Sequence, residues 1–139
     1  MSKNPYRQDR EELKALLSQY ENLKAGRAHS FIDEDDFERI IEYYDEKEQL
    51  SQALEAANFG LEQYPFSSDL LLQKAGLLIA LRKYEEALKT LEKAEIYNAA
   101  NIDLYILKTD VYLALDMQQK AAGLLEAAIE NFEGEEKID

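Results

Sequence analysis

The chain has 139 residues, 46% of them apolar, which is enough for one domain with its own core and too little for two of ordinary size. Its 16 Lys and Arg stand against 29 Asp and Glu, a formal net charge of −13, which argues against DNA, RNA or anionic membranes as partners because those surfaces demand a surplus of cations. With no cysteine, it has no disulfide, no thiolate zinc site and no Cys nucleophile.

The first residues, Met1 to Glu12, are polar where a secretory signal needs an apolar stretch. The longest apolar runs, such as Leu77 to Leu81, are too short to span a bilayer, so the expectation is a soluble cytoplasmic protein. Five Gly and two Pro among many Ala, Leu, Glu, Lys and Gln favour helix almost throughout. An amphipathic helix over residues 8–25 carries the stripe Leu13, Leu16, Leu17, Tyr20 and Leu23. Phe37, Ile40, Ile41 and Tyr44 form a second stripe, and Leu50, Ala53, Leu54, Ala57 and Leu61 a third. Leu71, Ala75 and Leu78 form a fourth, followed by Tyr84, Ala87, Leu88, Leu91 and Ala94. Polar breaks fall at Gly26 to Ser30, Glu46 to Glu48, Pro65 to Ser68, Arg82-Lys83, Asn98 to Asn101 and Asp116 to Gln118. Beyond the first break the helices therefore come in pairs, and no segment alternates with the period of a strand. The expected class is all-α.

A shift of 34 residues aligns segments 34–67, 68–101 and 102–135 without a gap. Small residues recur at Ala53, Ala87 and Ala121 and at Gly60, Ala94 and Ala128. Large ones recur at Phe37, Leu71 and Tyr105 and at Tyr44, Leu78 and Tyr112, and a further column reads Ala57, Leu91 and Leu125. Just ahead of each segment stand Asp33, Ser67 and Asn101, side chains that can accept from the free N–H groups of a first helical turn. Asp35, Asp69 and Asp103 follow two residues later, where the helix dipole favours negative charge. Small residues let two helices cross closely, and stacking successive pairs buries the face that one pair leaves open. An ordinary helical bundle has no reason to keep one spacing through three units.

This 34-residue helix-turn-helix resembles the tetratricopeptide repeat over residues 34–135. The family pattern reads Phe37, Ile41, Tyr44, Ala53, Ala57, Gly60, Pro65 in the first segment and Leu71, Ala75, Leu78, Ala87, Leu91, Ala94, Ala99 in the second. In the third it reads Tyr105, Thr109, Tyr112, Ala121, Leu125, Ala128, Glu133. Ile41 replaces the usual Gly or Ala, Lys74 and Lys108 the common Leu, and two of the three prolines are missing. The resemblance implies an α-solenoid, a right-handed superhelix of three repeats, with residues 1–33 as an N-terminal helix and connector and 136–139 as the start of a truncated further helix or a tail. It also implies a concave groove lined by the first helix of each pair. The corresponding residues are Glu38, Glu42 and Asp45, then Leu72, Gly76 and Ile79, then Ile106, Asp110 and Leu113. An acidic end passing into an apolar floor suits a protein segment with Lys or Arg beside bulky apolar residues, though a plain solvated face is the simpler account of the three acids. The family's carboxylate-gripping set of Lys, Asn and Arg is missing from these positions, so a chaperone C-terminal tail is not the expected ligand.

Charge follows the same division. Residues 1–32 hold six bases and four acids, residues 33–62 two and eleven, residues 63–101 five and five, and residues 102–139 three and nine. The negative field thus begins at Asp33-Glu34-Asp35-Asp36. The helix over 8–25 is read as a cap on the first repeat, with occupation of the groove or exchange into a second chain as alternatives. At the other end Gly134 is expected to stop the last helix, leaving Leu125, Ile129 and Phe132 either to meet a second copy or to mark the cut edge of a longer array.

No catalytic constellation emerges, and no enzyme activity, metal or cofactor is expected. His29, the only histidine, lies in a polar connector. The acids at 33–36 lack the Gly and distant Glu of a calcium loop. Ser67-Ser68 has no activating neighbour, and Gly123 and Gly134 are isolated from any phosphate-cradling pattern. Tyr43, Tyr44, Tyr105 and Tyr112 fall on core or groove spacings. The expected function is a scaffold that binds another protein.

Overall fold

A computed structural model describes residues 5–27 and 31–136, with side chains over 6–27 and 31–130. Its seven helices are α1 (Pro5–Lys24), α2 (Glu34–Glu46), α3 (Leu50–Gln63), α4 (Ser68–Ala80), α5 (Tyr84–Tyr97), α6 (Ile102–Ala114) and α7 (Gln118–Glu136). There is no strand among the described residues. The starts of α2, α4 and α6 advance by 34 residues, as do those of α3, α5 and α7. Local chemistry fixes these boundaries. Ser67 accepts from the Leu70 N–H and Asn101 from the Asp103 N–H, each satisfying a first-turn donor. Asp33 occupies the same position but makes no side-chain cap.

Each first helix also stops in the same way. Glu48, Arg82 and Asp116, again 34 apart, take the left-handed conformation at φ of 58°, 62° and 60°. The following N–H in each case reaches back over the helix end, from Gln49 to the Tyr44 carbonyl, from Lys83 to Leu78 and from Met117 to Tyr112. These are Schellman closures built without the glycine that usually relieves the left-handed strain. Three helical hairpins, α2–α3, α4–α5 and α6–α7, result.

The hairpins stack in line. α3 packs on α4 and α5 on α6, while α2, α4 and α6 touch in a row. The small columns lie where the helices press together: Ala53, Ala57, Ala87, Ala94 and Ala121 are buried. Gly60 is the tightest of these positions, since a Cβ there would lie 3.1 Å from both Phe37 Cγ and Leu70 Cδ1. The column of Ala57, Leu91 and Leu125 shows what stacking contributes. Leu91 is fully buried under α6, whereas Leu125 is 44% exposed because no described helix follows α7. Lys108, at a position where the resemblance favours Leu, is buried and pairs its ammonium with Glu95. A buried charge requires such a partner.

α1 joins the same core. Leu16 and Tyr20 cluster with Phe37, Ile40, Ile41, Ala53 and Leu70, and the Tyr20 ring meets Phe59 edge-on at 5.9 Å. Lys24 pairs with Glu55 of α3 at 2.6 Å. Among the described residues α1 thus packs along α2, reaches α3 through Tyr20 and Lys24, and shares its core cluster with Leu70 at the start of α4. α7 runs through Gly134 to Glu136. The expected stop there does not occur, because a helical glycine costs only about 1 kcal/mol and needs a left-handed turn to end the helix. His29 and the Phe132 side chain lie outside the described residues.

Candidate partner-binding groove

The row of first helices forms a groove of ≈ 450 Å³ lined by Glu38 and Glu42 of α2, Asp69, Leu72 and Gln73 of α4, and Asn101, Asp103, Ile106 and Leu107 at and within α6. Of the residues placed there by sequence, Glu38, Glu42, Leu72 and Ile106 line it. Asp45, Gly76, Ile79, Asp110 and Leu113 sit on the same helices but outside this lining. The groove therefore lies toward the N-terminal turns of α2, α4 and α6. Asp69 and Asp103, read from sequence only as dipole-matching first-turn acids, are brought to its wall by the parallel alignment of the three helix starts. Their 34-residue spacing was the available signal. Leu72, 8% exposed, makes the floor, and Ile106, 47% exposed, rises beside it.

The lining has four carboxylates and no Lys or Arg. Glu34, Glu38 and Asp69 bring oxygens within 4.8 Å of one another at one corner. Glu34 is held there by the Ser67 hydroxyl, which donates to it while capping α4. Glu38 is partly buried, and Gln73 Nε2 donates to its backbone carbonyl at 3.3 Å. Burial, and then the charges of Asp69, Asp35, Glu34 and Glu42, push the Glu38 carboxyl up to about 7. The oxygen-only corner suits a hard cation, an ammonium or a guanidinium, and lacks the His and Cys donors of zinc sites. Below α1 a second cleft, lined by Asp9, Arg10, Glu12, Leu13, Arg39, Glu42, Tyr43 and Glu46, shares Glu42 with the groove.

The Glu38 shift has a consequence for stability. A carboxyl raised from 4.5 when folded favours the native state most when it is protonated in both states, and this advantage is lost as pH rises from about 4.5 through about 7. Glu38→Gln removes the titration. The thermal midpoint of the wild-type chain should fall relative to that of the variant between pH 5 and pH 8, and parallel curves would show that Glu38 ionises normally.

No family model and no curated protein matches the sequence. Among solved structures the chain is similar to an Arabidopsis OM64 TPR domain, with a TM-score of 0.65 and 14% identity over 69% of this chain and 79% of that one. The fold is a tetratricopeptide-like α-solenoid. No helix among the described residues is long and apolar enough to cross a membrane.

Proposed function

We propose that the chain is a non-catalytic interaction module that holds a segment of a partner protein in the groove of α2, α4 and α6, selecting Lys or Arg beside bulky apolar residues. The observation that carries this reading is the lining itself: four carboxylates without a cation, over a floor of Leu72, Ile106 and Leu107. Cations complement the wall and apolar side chains the floor, and a segment carrying both is selected over one carrying either. Glu42 belongs to both clefts, so the groove adjoins the cleft between α1 and α2.

The test is charge reversal at Glu38, Glu42 and Asp45 to Lys. An amidated peptide of alternating Arg and Leu should bind the wild-type chain and lose at least about tenfold in affinity to the triple variant. Added salt should weaken the wild-type complex as well. Equal binding to both chains would remove the acidic groove from the reading.

Leu125 and Ile129, 44% and 56% exposed on α7, favour a second reading in which this end meets another copy of the chain. Sedimentation across a hundredfold concentration range should then show self-association that Leu125→Asp abolishes. A constant monomer mass would discard it.

A further inference from the structure

The last hairpin lacks, among the described residues, the cover that the two before it receive. α5 holds α6 through Leu88, Leu91 and Glu95: the two leucines share a core cluster with Leu104 and Val111 of α6, and Glu95 pairs with Lys108. The residues 34 positions on are Ala122, Leu125 and Ile129 of α7, and all three are exposed. They lie three and four residues apart, so they form one seam along the helix. Ile129 stands where Glu95 meets its lysine, which makes this seam wholly apolar and suits it to another apolar seam rather than to a helix like α6.

The opposite end of the array offers no counterpart. α1 turns Leu16 and Tyr20 into its own core, with Leu13, Leu17 and Leu23 packed beside them. The face it leaves to solvent carries Arg7, Arg10, Glu11, Lys14, Ser18 and Glu21. Stacking α7 of one copy on α1 of the next would bury these charges against the seam. α7 itself supplies the match. Its charge is split along its length, with one base and no acid over residues 118–125 and five acids and no base over residues 126–136. Two α7 helices in antiparallel order set each acidic half against the half that holds Lys120, whereas parallel order sets acid against acid. Antiparallel order also brings opposite ends of the helix dipoles together.

We propose that the chain forms a closed two-fold dimer in which the α7 seam packs antiparallel on the α7 seam of a second copy. The inference rests on the reading that this end meets another copy, and it adds which surface of that copy is met. Such a contact uses up the seam on both sides, so assembly stops at two, where a head-to-tail contact would continue into rings or filaments.

The full chain has no cysteine, so a single introduced thiol reports alone. A two-fold axis through the middle of the seam, between Ala122 and Ile129, puts Glu126 beside its own copy and Gln118 more than about 20 Å from its own. At a concentration where the dimer is populated, a short bismaleimide should join Glu126→Cys into a covalent dimer and leave Gln118→Cys monomeric. Sedimentation equilibrium over a hundredfold concentration range should fit monomer and dimer with no larger species. Ile129→Asp, a change at an exposed position, should shift that equilibrium at least about tenfold toward monomer with unchanged far-UV circular dichroism. Failure of Glu126→Cys to crosslink, equal crosslinking of Gln118→Cys, masses that grow past two copies, or an Ile129→Asp chain that associates like the wild type each overturns the antiparallel dimer and leaves self-association standing. A monomer at every concentration overturns both.

Discussion

Phe37→Ala should lower the unfolding free energy by about 3–5 kcal/mol, the cost of deleting a large buried ring whose surroundings close only in part. Phe37 is completely buried. Its ring sits edge-on to Tyr64 at 6.3 Å and against the bare backbone of Gly60, and it belongs to the cluster that binds α1, α2, α3 and the start of α4 together. Few single sites touch so many elements. Natural domains hold only about 5–15 kcal/mol in reserve, so the loss takes a large share of it. Urea unfolding gives the measurement. Tyr105 occupies the same column in the third hairpin, yet it is only half-buried and its hydroxyl donates to the Ala99 carbonyl at 2.7 Å. Tyr105→Ala should therefore cost clearly less, and an equal cost at both positions would mean that the stacked core does not concentrate at the first hairpin.

Gly60→Val should destabilise by about 2–3 kcal/mol from the opposite cause, overpacking. The Cβ alone would stand 3.1 Å from Phe37 Cγ and from Leu70 Cδ1, and valine adds two more carbons between side chains that are both fully buried. Valine's lower conformational freedom in a helix adds little beside this clash. Since Phe37 is one of the two obstructing groups, Phe37→Ala opens space that Val can use. The double variant should then be more stable than the sum of the single losses predicts, with a coupling of about 1 kcal/mol or more. Strict additivity would show that the ring and the glycine backbone do not share the contact.

Some of this protein was already present in the order of its residues. Hydrophobic spacing marked the helices, the caps at Ser67 and Asn101 marked two of their starts, and the 34-residue recurrence marked the stacking, because each depends on neighbours close in sequence or on repetition along it. The family pattern also indicated that the first helices face a groove. Its position could not be read in the same way. A column of residues at one helical spacing defines a face, but where along that face a cleft opens depends on how three separate helices align. That alignment drew in Asp69, Asp103 and Gln73 and left Asp45, Ile79 and Leu113 outside.

The same distinction separates identical columns: among the described residues Leu91 has a helix stacked over it and is buried, whereas Leu125 has none and is exposed. It also explains Glu38, an unremarkable acid in sequence whose carboxyl is pushed up to about 7, first by burial in the fold and then by the charge of Asp69 from the next hairpin. Periodicity is a local, one-dimensional property and determined the helices and their order. Burial and field strength depend on distances across the fold, and only the packed helices decided those.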